Sequence, residues 1–100
     1  MNALTNANVD AIESGDVCLL FTATWCGPCR MIKPTFTKQA SENKDKVTAY
    51  SVDVDSMPQL ASRFSVRSVP AAVVLRDGEV KEVLHGAGGV NMANVLKALA

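Results

Sequence analysis

Val17-Cys18-Leu19-Leu20-Phe21 leads through Thr22-Ala23-Thr24 into Trp25-Cys26-Gly27-Pro28-Cys29, and the reading of this stretch decides the architecture. Its opening run is apolar at every position rather than at alternate ones, the pattern of a central strand covered on both faces. Beyond Cys29, Ile32, Phe36 and Ala40 recur at steps of three and four, which predicts an amphipathic helix to about Asn43. Pro34 falls inside it, removing one backbone donor and pressing its ring on the carbonyl of Arg30, so a kink is expected one turn after the start. From Val47 to Val54, Val47, Ala49 and Ser51 alternate with Tyr50, Val52 and Val54 as in a second strand. A strand, a helix and a second strand in so short a span make the two strands parallel, with a right-handed crossover.

On the N-terminal side, Val9 and Ile12 share a helical face, Asn6 and Asn8 offer caps, and Gly15 suits a stop, which predicts a short first helix. On the C-terminal side, Ser56 and Gln59 have capping-box spacing, with Pro58 in the first turn and Leu60, Ala61 and Phe64 as the buried stripe of another helix. Ala71 to Arg76 and Glu79 to His85 flank Asp77-Gly78, a pair suited to a type I′ hairpin turn. Gly88-Gly89 precedes a cap at Asn91 and a last helix with Met92, Val95, Leu96 and Leu99 on one face. The fold class that follows is α/β: a mixed central sheet flanked by helices on both faces, one domain over residues 1–100.

Composition narrows the function classes. Of the 100 residues 48% are apolar and 20% charged, far from the composition of a disordered chain. Ten basic and ten acidic side chains cancel, so no excess positive field exists to hold nucleic acid or an anionic membrane surface. The apolar run is far short of a membrane span, and Met1 to Thr5 lacks the start of a secretory signal, so a cytoplasmic monomer is expected. Three cysteines are too few, and odd in number, for a secreted disulfide scaffold.

The spacing of the cysteines locates the chemistry. Cys26 and Cys29 form a C-x-x-C between the buried strand and the kinked helix, so the first thiol stands at a helix N-terminus. Unpaired N–H groups and the positive end of the dipole favour a thiolate there. Pro28 at the first helical position sacrifices no hydrogen bond, and Gly27 permits the tight entry. Cys26 is expected to be the exposed nucleophile. Cys29, one turn on and facing inward, can attack a mixed disulfide on Cys26 and leave an intramolecular disulfide. A zinc site would need four ligands, and Cys18 in a strand with a remote His85 does not supply them. Cys18 reads as a small buried hydrophobe, Trp25 as an exposed platform, and His85 and Lys44-Asp45-Lys46 as solvated groups.

Trp25-Cys26-Gly27-Pro28-Cys29, Pro34, Val69-Pro70, Asp77-Gly78 and Gly86 together resemble the thioredoxin family over nearly the whole length. The resemblance implies a thioredoxin fold with Pro70 in a cis peptide beside the dithiol. It implies that the backbone of Val69 pairs with an extended substrate segment, and that Trp25, Gly27, Pro28, Val69, Gly86 and Ala87 form a flat docking surface. It further implies a thiol-disulfide oxidoreductase without cofactor or metal that reduces protein disulfides, with a flavin-dependent thioredoxin reductase as electron donor.

The chain departs from the family in two places. The buried aspartate usual six residues before the nucleophile is Leu20, and the lysine usual two residues before the equivalent of Asp53 is Ser51. The internal pair that would accept the proton of the resolving thiol is therefore missing, leaving water, Asp53 or Asp55. Asp53 and Asp55 are equally explained by capping and solvation of a strand end. A general disulfide reductase is the first functional reading; a binding module or accessory subunit with vestigial catalysis is the second. Gly-Pro between the cysteines favours the reducing end of the family, and the absence of an aromatic there disfavours a glutaredoxin.

Overall fold

The run read as doubly covered lies at the middle of the molecule. In the computed structural model, which describes residues 1–100, it forms β2 (Asp16–Thr22), and every residue from Val17 to Thr22 is buried. On one side β2 pairs in parallel with β3 (Thr48–Asp53), which pairs in parallel with β1 (Asn2–Ala3). On the other side it pairs antiparallel with β4 (Ala71–Arg76), followed by β5 (Glu79–His85), giving the order β1-β3-β2-β4-β5. The crossover between β2 and β3 is α1 (Gly27–Glu42), continuous through Pro34; α2 (Pro58–Arg63), α3 (Gly86–Gly89) and α4 (Met92–Leu99) complete the chain.

Alternation along β2 divides the core between the two faces of the sheet. Val17, Leu19 and Phe21 pack with Ile12, Val52, Met57 and Leu60 on one face. Cys18 and Leu20 pack with Phe36, Ala40, Met92 and Val95 on the other. Each fully buried Leu, Val or Phe contributes about 1.5–3 kcal/mol. Asp77 (φ 51°) and Gly78 (φ 83°) turn the β4–β5 hairpin as expected, and Asn91 caps α4 by accepting from the N–H of Asn94 at 2.8 Å. No helix is long and apolar enough to cross a membrane.

Several local expectations need correction. The first helix is a 3-10 turn over Val9–Glu13, not an α-helix; Asn8 takes its N-cap position as expected, but no side chain makes a capping bond. Asn8 instead accepts from the N–H of Thr5 at 2.7 Å, and Asn6 accepts from the side chain of Gln59 at 3.1 Å. The capping box at Ser56 and Gln59 does not form. Pro58 sets the start of α2, so the N-cap falls on Met57, one residue too late for that pairing. Two elements were not legible. β1 is too short to alternate, and α3 is mostly glycine, its single turn closed by the N–H of Val90 on the carbonyl of Gly86 at 2.9 Å.

Candidate active site

β2 delivers the chain to the C-terminal edge of the sheet, where Ala23, Thr24 and Trp25 turn it into α1. Cys26 is the N-cap of α1, with extended backbone, and Pro28 sits in the first turn. The Sγ of Cys26 accepts the N–H of Cys29 at 3.2 Å. In this structure that sulfur is half of a Cys26–Cys29 disulfide and stands where a thiolate stands after reduction. The helix start then offers the thiolate a directed N–H and the positive end of the dipole, both of which favour the ionised sulfur.

The exposure expected of Cys26 is not found. It is 5% exposed and Cys29 2%, because both pack with Ala23 and are flanked by Val54 and Val69, brought from distant parts of the chain. In the oxidised protein, position rather than exposure distinguishes the two sulfurs. Cys26 caps the helix beside Trp25, whereas Cys29 lines a cleft of about 590 Å³ on the inner side of α1.

Trp25 is 67% exposed, and its indole N–H donates to Asp55 at 3.0 Å. Gly27, Pro28, Gly86 and Ala87 are exposed, Val69 is half-buried and Pro70 is buried. The Val69–Pro70 peptide bond is cis, and the carbonyl of Pro70 accepts the N–H of Gly86 at 3.0 Å. Gly86 has φ +74°, a conformation that suits glycine. Trp25 and Val69 share the wall of a small hollow, while Ala87 faces Met31 and Ile32 across a groove of about 250 Å³. Of the residues named for the docking surface, Trp25, Gly27 and Pro28 adjoin the dithiol in sequence, Val69 packs against its cluster, and Gly86 is bonded to Pro70. Met31, 80% exposed, was missed; it follows the motif and falls off the Ile32–Phe36–Ala40 stripe, so spacing could have found it.

The two aspartates separate cleanly. Asp53 turns its Oδ1 onto the backbone N–H groups of Asp55 at 2.8 Å and Ser56 at 3.3 Å, closing the end of β3. Asp55 holds the indole of Trp25. Leu20 is fully buried and lies opposite Ser51 in the β2–β3 register. Cys18 is fully buried too, and burial pushes its thiol up to about 12, which makes it inert. His85 and the segment Lys44 to Lys46 are exposed, as expected.

Comparison with known proteins agrees with this geometry. The family described as Thioredoxin matches residues 2–99. A thioredoxin of Staphylococcus haemolyticus is 40% identical over 95 residues, covering 93% of this chain and 91% of the relative. A thioredoxin of Staphylococcus aureus is 38% identical over the same shares. Among solved structures, the germline-specific thioredoxin Deadhead of Drosophila melanogaster superposes with a TM-score of 0.84 at 29% identity, covering 100% of this chain and 99% of that one. A Malassezia sympodialis thioredoxin gives a TM-score of 0.83 at 32% identity, covering 96% and 87%.

Proposed function

The chain belongs to the thioredoxin family and is a thiol-disulfide oxidoreductase, and on that premise we propose that Cys26 is its nucleophile and Cys29 its resolving thiol. One observation carries the assignment: Cys26 caps α1, with the N–H of Cys29 directed at its sulfur. The thiolate of Cys26 attacks one sulfur of a substrate disulfide, and the other substrate sulfur leaves as a thiolate that takes up a proton. Cys29, having lost its proton, then attacks the Sγ of Cys26. The bond from Cys26 to the substrate breaks, the substrate leaves with both sulfurs reduced, and the Cys26–Cys29 disulfide forms. Two electrons have passed to the substrate, and the chemistry is carried by the chain's own sulfurs, without a cofactor.

Disulfide-containing proteins and thioredoxin reductase are the usual partners of this family, and we assign them to this chain in a reducing cytoplasm. The substrate segment lies along Val69, whose half-buried side chain packs against the cluster that holds both cysteines, with Trp25, Gly27, Pro28, Gly86 and Ala87 as the rest of the docking surface. Brief alkylation of the reduced protein, mapped by mass, is expected to label Cys26 before Cys29 and Cys18. Cys29→Ser is expected to trap mixed disulfides through Cys26, and Cys26→Ser to abolish insulin reduction. Insulin reduction driven by dithiothreitol but not by a thioredoxin reductase would remove that electron donor. First labelling at Cys29, or full activity in Cys26→Ser, would overturn the assignment, the latter in favour of a binding role.

A further inference from the structure

The second half of the cycle requires Cys29 to lose a proton, yet its side chain is almost wholly buried, and the Leu20–Ser51 pair of the β2–β3 register offers neither a carboxylate nor an ammonium group. The structure provides another route. The cleft of about 590 Å³ lies between the first turns of α1, which contribute Cys29, Arg30 and Lys33, and the ends of β2 and β3, which contribute Thr22, Ser51 and Asp53. It opens to the surface and has room for several waters. Thr22 is 7% exposed, yet its hydroxyl is neither engaged within the chain nor sealed away, so solvent reaches that depth.

We propose that Asp53, acting through water in this cleft, accepts the proton of the Cys29 thiol when Cys29 attacks the mixed disulfide. The proposal rests on the dithiol reading above and adds a group to it. Asp53 is the only carboxylate lining the cleft, and the other titratable or charged groups there are Cys29, Arg30 and Lys33; β1 contributes none. Its Oδ1 is held by the N–H groups of Asp55 and Ser56, whereas its Oδ2 has no partner within the chain. One oxygen fixes the side chain and the other is free to accept from water. Arg30 is engaged with the carbonyl of Thr24 at 2.6 Å, and Lys33 is the second cation lining the cleft. Both positive charges favour the Cys29 thiolate that the step forms. Asp53 pairs with Thr22 in the β2–β3 register, one side-chain pair nearer the dithiol than Leu20 and Ser51. The proton moves from Cys29 through water to Asp53 and on to bulk solvent, while the sulfur bonds exchange as described.

The test uses the full chain and separates the two steps. Asp53→Asn keeps an oxygen for the N–H groups of Asp55 and Ser56 but removes the base. In a Cys29→Ser background, formation of the mixed disulfide with a small aromatic disulfide should be unchanged by Asp53→Asn. With Cys29 present, single-turnover release of the second thiol should slow about tenfold, within the span of general base catalysis. It should also lose the acid limb of its pH profile and recover in part on addition of formate. An unchanged release rate overturns the proposal. So does a slowing without change in the pH profile and without rescue, which would give Asp53 a purely structural role. Failure of Cys26 to form any mixed disulfide would instead overturn the dithiol reading, and this proposal with it.

Discussion

The indole N–H of Trp25 donates to a carboxylate oxygen of Asp55 at 3.0 Å, joining the residue ahead of the dithiol to the loop that follows β3. The contact holds a large aromatic face in place while leaving it 67% exposed. A platform held in this way loses less conformational entropy on meeting a partner than a free side chain would.

Asp55→Ala should therefore raise KM for a protein disulfide several-fold and leave the rate with a small disulfide nearly unchanged. Trp25 is the only tryptophan, so its fluorescence reports the loss of the contact directly. Because the pair is exposed, the stability change should stay within about 0.5 kcal/mol. Equal losses with large and small substrates would mean that Asp55 supports the dithiol rather than the platform.

Asp16 and Arg76 join the start of β2 to the end of β4 through a bidentate pair at 2.8 and 3.2 Å, and the same guanidinium donates to the carbonyl of Leu99 at 2.7 Å. The hydrogen bond from Arg76, aided by its charge, holds the Asp16 carboxyl below its usual range. A carboxyl whose folded pKa is depressed adds stability that is present above its unfolded value and lost as pH falls through the folded one. Urea midpoints measured downwards from about pH 5 should fall more steeply for the wild type than for Asp16→Asn. Parallel curves would show that the pair is screened by solvent and contributes nothing.

Cys18 gives the opposite limb. Burial raises its thiol to about 12 from an ordinary value of 9.0, so the folded chain keeps a proton that the unfolded chain releases. Such a group's stability is complete below the unfolded pKa and is lost as pH rises through the folded one. For the oxidised protein the loss between about pH 8 and about pH 10.5 is about 2 kcal/mol. Cys18→Ala should lower stability at pH 8 through lost packing, yet flatten the alkaline decline. An equally steep decline in the variant would assign it to other groups.

Elements with a local physical cause were readable. The β4–β5 hairpin follows from Asp77-Gly78, and the central strand from an unbroken apolar run covered on both faces. The site was readable as far as the helix start reached: the cysteine pair at the head of α1 and the exposed Trp25 before it. Two aspects depend on chain segments far apart in sequence. The burial of Cys26 is produced by Val54 and Val69, and the cleft beside Cys29 by β1, α1 and β3 together, so neither leaves a pattern in any one window. The misread caps have separate causes: Asn8 accepts from the N–H of Thr5 three residues back, Asn6 accepts from Gln59 across the fold, and Pro58 moves the N-cap of α2 to Met57.

The last prediction concerns Leu20, which is fully buried and packed with Phe36 and Ala40 of α1. Its strand neighbours in register are Ser51 on β3 and Ala72 on β4, neither of which carries a charge. A carboxylate at this point has no cation beside it and must stay protonated or ionise in an apolar surrounding, which raises its pKa. Leu20→Asp should destabilise the protein by about 2–5 kcal/mol, combining lost packing with buried polarity. The sign of its pH dependence follows from the raised pKa. The folded variant binds the proton more tightly than the unfolded chain, so the added penalty is absent below the unfolded carboxyl pKa and grows as pH rises through the folded one. The deficit against the wild type should therefore be larger at pH 8 than at pH 5 in urea unfolding. With Asp53 already serving Cys29 through the cleft, the new carboxyl should speed release of the second thiol only slightly, and should speed it strongly once Asp53→Asn is added. A loss below about 1 kcal/mol at pH 8 would mean that water reaches residue 20, and the two-faced burial of β2 would fail with it.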